Sequence, residues 1–310
     1  MSGTSQTVLL SGATGFLGAS LAKDLALNGF KVVALTRNSS SLKRFDDFKS
    51  DNIVFVNTDE PGYKEHLVEL QPASFIHSAW SGVSAKGRDD WEAQAENIKF
   101  STGLLLLSAE LKIKKIIGLG SQAEYGNFHG RINEETQAVP VSAYGAAKLA
   151  TFQMLRSFCE QHGMEWYWLR LFSTYGKRED STWLIPSVIS NAINNKPMDL
   201  TGCEQRYDYL FTKDLATAII AVLNSTGASG LYNLSSNTSI RLKDLISKIG
   251  ELVNPAAKFN FGALPYRPNQ VMHMEGDSTK FNTRFSFRTN TTMDANLEEI
   301  VNDYKKVNKK

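Results

Sequence analysis

Cysteine is nearly absent from this 310-residue chain. The two present, Cys159 and Cys203, fall in different expected elements and offer neither metal nor redox spacing. They read as two thiols of a reducing compartment. The five histidines, at 66, 77, 129, 162 and 273, include no i,i+4 pair and no HExxH, so metal catalysis has no support and no metal ligand is assigned. Long hydrophobic runs are missing too. The apolar opening over 7–27 is broken by glycines, Lys23 and Asp24, which suits neither a secretory signal nor a membrane span, and a cytoplasmic location is expected. Nor is there an excess of one charge: 34 basic against 32 acidic side chains leave +2, and no global field recommends nucleic acid or an anionic membrane. No tandem repeat or low-complexity segment occurs, and the terminal Lys305, Lys306, Lys309 and Lys310 read as a frayed, solvated helix end.

What remains is an ordinary globular composition, 42% apolar and 21% charged, on a chain long enough for a large α/β unit and a smaller lobe. Short β-branched runs at 7–10, 31–35, 53–56, 73–77, 114–119 and 166–171 alternate with helical patterns at 16–28, 91–111 and 142–161. This alternation predicts a Rossmann-type, doubly wound parallel sheet with right-handed crossovers. After Arg170 the rhythm changes. We expect the dinucleotide-binding domain to comprise residues 1–172 and about 206–235, with a smaller mixed α/β substrate lobe from about 173–205 and 236–310.

Gly12-Ala13-Thr14-Gly15-Phe16-Leu17-Gly18 follows the first strand directly and opens the first helix. Bare positions at 12 and 15 let the backbone turn sharply and approach a pyrophosphate, whose charge a helix N-terminus stabilises, and Gly18 permits close packing. Three glycines alone would be a tight turn; their place between strand and helix makes them a dinucleotide site. At the end of the second strand, a carboxylate would bind the ribose diol of NAD. This chain instead has Leu35-Thr36-Arg37-Asn38-Ser39, with Lys43 and Arg44 beyond and no acid until Asp46. Arg37 can pair a 2′-phosphate, with Asn38 adding a donor, so NADP is preferred and NAD remains possible.

Tyr144 and Lys148, four apart on a predicted helix, share one face. A phenol of pKa near ~10 is a poor proton shuttle, and a nearby ammonium favours its phenolate. Lys148 can also hold a nicotinamide ribose, and Ser121, at the end of the fifth strand, can polarise a substrate oxygen. A Tyr/Lys pair by itself is commonly a surface stripe; the upstream glycine turn and Ser121 change that reading.

With these residues in place the chain resembles the extended short-chain dehydrogenases/reductases, the nucleotide-sugar epimerases, dehydratases and ketoreductases, over nearly its whole length. Phe75-Ile76-His77-Ser78-Ala79 resembles the family's fourth strand, which implies Ala79 beside the cofactor and His77 as a strand residue. Asn97 matches an asparagine of the next helix, and Asn97 and Asp59 join the implied cofactor set. Leu169-Arg170-Leu171-Phe172-Ser173-Thr174-Tyr175-Gly176 resembles the family's Arg–aromatic–Asn–Tyr-Gly run, with Ser173 where asparagine is usual. Gln205-Arg206-Tyr207-Asp208 resembles a strand that carries Arg-Asp, here with the arginine one residue early, and Arg267-Pro268-Asn269 resembles a later segment. The resemblance implies a substrate set of Ser121, Gln122, Ser173, Arg206 and Arg267, the two arginines gripping a nucleotide diphosphate bidentately.

Gln122 and Ala123 stand where the family's 4,6-dehydratases carry an acid pair, and Ala123 where a GDP-fucose-forming epimerase-reductase carries a cysteine. Elimination and base-driven epimerisation are therefore disfavoured. The run 118–126, GLGSQAEYG, resembles sequences of the CDP-abequose- and CDP-paratose-synthase-like group. The expectation is NADPH-dependent reduction of a nucleotide-diphospho-4-keto-6-deoxyhexose, for a surface-polysaccharide deoxysugar. The alternatives are a 4-epimerase with tightly held NAD, a reductase of phenolic ketones and a non-catalytic NADP-sensing module. The leucine-rich 104–107, with Leu149, Phe152 and Leu155, suggests a homodimer joined through the two long helices.

Overall fold

The computed structural model describes residues 6–84, 87–268 and 270–307. Lys309, Lys310 and Asn269 lie outside them. Seven parallel strands form the main sheet, in the order Gly230–Leu234, Glu165–Leu171, Lys115–Ser121, Ser74–His77, Thr7–Ser11, Lys31–Thr36 and Ile53–Asn57. The expected strands agree with it to within one or two residues. Their near-continuous apolar runs follow from burial on both faces. Side chains alternate, so Val8, Leu10, Val32 and Ala34 join one core with the helices Phe16–Leu27 and Thr212–Leu223. Leu9, Val33, Phe75 and Ile116 join a second core under Trp91–Glu110 and Ala143–Gln161.

Strand order reverses direction at Thr7–Ser11, which lies between Ser74–His77 and Lys31–Thr36. The crevice at this switch point, beyond the carboxyl ends of the strands, is where such sheets take ligands. The glycine turn and Ala79 both open onto it.

The second sheet runs Ser239–Arg241, Arg206–Phe211, His273–Gly276 and Gly130–Ile132, with Ser173–Tyr175 paired to Arg206–Phe211. The expected domain boundary needs correcting here. Arg206–Phe211 belongs to the small sheet, while Thr212–Leu223 and Gly230–Leu234 return to the large unit. Gly130–Ile132 crosses the other way, carried into the small sheet by parallel pairing with His273–Gly276. Helices Leu184–Ile193, Leu242–Val253 and Met293–Val307 close a third core around Ile189, Ile246 and Ile300. Lys305 and Lys306 continue the last of these helices. No described helix is long and apolar enough to cross a membrane.

Candidate active site

The glycine turn is shaped by close approach. Gly12 takes φ +70°, and a Cβ there would fall 2.6 Å from the Ala79 backbone. A Cβ on Gly18 would fall 2.0 Å from the Gly12 carbonyl oxygen, so Gly18 packs closely on the turn that ends the first strand. Helix Phe16–Leu27 starts at Gly15 with no side-chain cap and no acid in its first turn. Its first N–H groups, those of Phe16 and Leu17 among them, suit an anionic pyrophosphate beside Thr14, while the Gly15 N–H donates to the Gly12 carbonyl at 3.0 Å. Leu17 packs on the core, and the Phe16 ring lines an outer groove with Arg178 and Asp303.

At the end of the second strand Arg37 is exposed and, among the described residues, makes no ion pair. Two expectations change here. Arg44 does not face this corner: its Nη1 donates to the Thr14 carbonyl at 3.1 Å and its Nε to that of Arg178 at 3.1 Å. A carboxylate does stand at this corner, because Asp59 arrives from the end of the neighbouring strand and accepts the Asn38 N–H at 2.8 Å. Asn97 is buried with its amide bonded to Ser81 and Gln94, organising the loop after the fourth strand. His77 bonds Ser11 at 2.9 Å and Ser101 at 2.8 Å, and burial pushes it down to about 3, the state of a neutral strand residue.

Ser121, Tyr144 and Lys148 converge and are all buried. Ser121 ends its strand and caps the 3₁₀ turn Gln122–Tyr125, its Oγ accepting the Ala123 N–H at 3.1 Å. Gln122, half-buried, begins that turn. Ser142 caps the helix that carries the other two residues, accepting the Gly145 N–H at 3.1 Å. Burial raises the Tyr144 phenol; hydrogen bonding from Ser121 and the charge of Arg88 oppose this, and Glu124 adds to it. The expected cation was Lys148. Its Nζ instead donates to the Leu119 carbonyl at 2.7 Å and stands 3.8 Å from the Trp80 ring centre. Burial brings Lys148 down to about 7, with Glu124 pulling upward.

Glu124, to which sequence reasoning gave no role, is the hub beneath these residues. Fully buried, it accepts the Ser121 N–H at 2.8 Å, Trp168 Nε1 at 2.9 Å and Arg170 Nε at 2.8 Å. Gly120 makes room for this: a Cβ there would fall 2.2 Å from Trp168 Nε1 and 2.6 Å from Glu124 Oε1.

Comparison with known proteins places this arrangement. Residues 8–235 match the model of the NAD dependent epimerase/dehydratase family. The chain belongs to that family. It is 24% identical over 300 residues to CDP-abequose synthase of Salmonella muenchen, covering 95% of this chain and 96% of that one. It is 23% identical over 271 residues to dTDP-4-dehydro-6-deoxyglucose reductase of Escherichia coli, covering 82% and 84%. Its fold is that of UDP-glucuronic acid 4-epimerase from Bacillus cereus, solved with UDP-glucuronic acid and NAD: TM-score 0.83, 21% identity, covering 97% of this chain and 100% of that one.

The expected substrate arginines are both exposed. Arg206 is exposed and donates to the Ser239 carbonyl at 3.0 Å. Its neighbour Tyr207 turns the other way, its hydroxyl donating to the Val271 carbonyl at 2.9 Å and accepting from Gln270 at 2.6 Å. Arg267 is exposed, and its carbonyl accepts the Gln270 N–H at 3.2 Å. Ser173, half-buried, pairs in register with Tyr209.

Proposed function

We propose that this chain reduces the 4-keto group of a nucleotide-diphospho-4-keto-6-deoxyhexose with NADPH, in deoxysugar supply for a surface polysaccharide. The observation that carries this reading is that Glu124, the buried carboxylate beside Ser121 and Tyr144, is locked by Trp168 and Arg170. Elimination needs a mobile acid/base pair, whereas ketone reduction needs one proton donor. Tyr144 gives its proton to the carbonyl oxygen while Ser121 polarises that oxygen. Lys148 turns from Leu119 to the nicotinamide ribose. The cofactor, when bound, supplies hydride. The helix start at Gly15 would hold its pyrophosphate, and exposed Arg37 a 2′-phosphate. We assign the substrate diphosphate to Arg267 and Arg206, both exposed.

A second reading, a 4-epimerase that retains NAD, is favoured by the Asp59 carboxylate at the ribose corner. One experiment separates the two. A reductase given a nucleotide-linked 4-keto-6-deoxyhexose and deuterated NADPH consumes the cofactor stoichiometrically and places one deuterium at C4. Given a saturated nucleotide sugar and no added cofactor, it does nothing. Inversion at C4 in that second tube would overturn the reductase reading. Tyr144→Phe should lose roughly 10²–10⁴-fold in turnover while still binding cofactor.

A further inference from the structure

The loop between Ser74–His77 and Trp91–Glu110 is fastened to the start of the helix that carries Tyr144. A helix leaves its first N–H groups without intrahelical partners. Here Ala143 N–H donates to the Asp89 carboxylate at 3.2 Å, and Tyr144 N–H to the Arg88 carbonyl at 2.8 Å. The Arg88 guanidinium carbon also stands 4.6 Å from the Tyr144 ring centre, inside the ~6 Å reach of a cation–π contact. Trp80 meets the same ring edge-on at 6.2 Å. The loop is itself braced. Arg88 N–H donates to Ser84 at 3.1 Å, and Gln94 Nε2 donates to the carbonyls of Gly82 at 3.1 Å and Gly87 at 3.0 Å.

We propose that Arg88 is a positioning residue for the proton donor, its carbonyl fixing the Tyr144 backbone and its guanidinium orienting the phenol and holding a positive charge against it. This rests on Tyr144 being the proton donor in the reading above. Lys148 does not fill the place, being turned to Leu119 and Trp80. The groups acting on the phenol are Arg88 from the loop, Ser121 from its strand and Glu124 from the 3₁₀ turn, with Glu124 held by Arg170. Asp89 is engaged by the Ala143 N–H. When Tyr144 gives up its proton, a phenolate forms beneath the Arg88 guanidinium. That opposite-charge contact is absent before transfer, so it favours the transition state over the ground state.

Arg88→Met keeps both the carbonyl and the aliphatic stem, and Arg88→Lys restores a cation. In Arg88→Met the Tyr144 titration should move alkaline by about one unit, the low end for an opposite charge at this range on a partly exposed side chain. Two readouts follow it. One is the tyrosine ring-carbon resonance of carbon-13-labelled protein, assigned with Tyr144→Phe. The other is the basic midpoint of the pH–rate profile for alcohol oxidation. Turnover should fall about three- to tenfold, and Arg88→Lys should recover most of both effects. An unmoved titration in folded Arg88→Met overturns the proposal, as does a change confined to the KM of the sugar nucleotide. If the wild type turns over no nucleotide-linked ketosugar, the functional reading fails, and the resonance titration still decides the role of Arg88.

Discussion

Glu124→Ala tests the foundation under Ser121. The carboxylate is fully buried, and its removal strands three donors: the Ser121 N–H, Trp168 Nε1 and the Arg170 guanidinium. Arg170 is the costly one. It lies buried, with 3% of its side chain exposed and its guanidinium carbon 4.3 Å from the Tyr125 ring centre, so water cannot replace the lost partner without local opening. Breaking one side of such a buried pair costs about 3–5 kcal/mol, more than the ~0–1 kcal/mol of an exposed pair. At about 2 °C per kcal/mol for a chain of this size, the melting temperature should fall by about 6–10 °C.

Urea unfolding followed by tryptophan fluorescence reads the change directly, since Trp168 is one of the stranded partners. Glu124→Gln with Arg170→Met removes both charges together and keeps an amide oxygen for Ser121 and Trp168. That double variant should lie within about 2 kcal/mol of wild type, and the non-additivity measures the coupling. Glu124→Ala should also lose about 10²-fold in turnover as Ser121 drifts. A Glu124→Ala protein within about 1 kcal/mol of wild type, or no more damaged than the double variant, would refute the argument.

Three further outcomes are expected. His77, held neutral with its pKa pushed down to about 3, takes up a proton less readily than in the unfolded chain, so its contribution is complete above about pH 6.5 and lost as pH falls toward 3. His77→Asn should flatten the acid limb of stability, measured by urea unfolding at several pH values, by up to about 1.4 kcal/mol per unit. Arg37→Ala should weaken NADPH by about 1.5–3 kcal/mol in KM and leave NADH nearly unchanged; equal effects would make Arg37 a bystander. The homodimer argument shifts its footing, because Leu104, Leu105, Leu107, Phe152 and Leu155 are used in this chain's own core. The outward face keeps Phe100, Leu106 and Met154. Light scattering at micromolar concentration should give twice the chain mass, and Leu106→Glu a monomer.

The sheet was legible because a strand buried on both faces advertises itself locally, and the shared face of Tyr144 and Lys148 because four residues make about one helical turn. Tyr63–Leu70 is short and buries only Leu67 fully, so its stripe of Tyr63, Leu67 and Leu70 spans just two turns. Gly130–Ile132 escaped because its strand character comes from pairing with Met274–Gly276, far along the chain. Glu124 was readable and overlooked: Ser121 and Glu124 stand at the spacing of a capping box, and they form one. Arg88 carries no local signal at all, since its place over Tyr144 depends on a loop folding back onto a helix start 55 residues on.

Arg206 shows how much one residue of offset can matter in a strand. An arginine one residue early looks like a small offset when sequences are compared. A strand has a side-chain period of two, so one residue is the largest displacement available to it: the side chain changes face. Aligned on Asp208, the site of an arginine passes to Tyr207, whose hydroxyl joins Gln270 and Val271, while Arg206 turns to the Ser239 carbonyl. The corner at Asn38 is built across two strands. Asp59 lies far from Arg37 in sequence and arrives beside Asn38 through the parallel pairing of Lys31–Thr36 with Ile53–Asn57. Counting acids along one strand end cannot see a carboxylate delivered by the next strand. Cofactor choice at this corner is therefore a contest between two exposed charges, Arg37 and an Asp59 that accepts the Asn38 N–H.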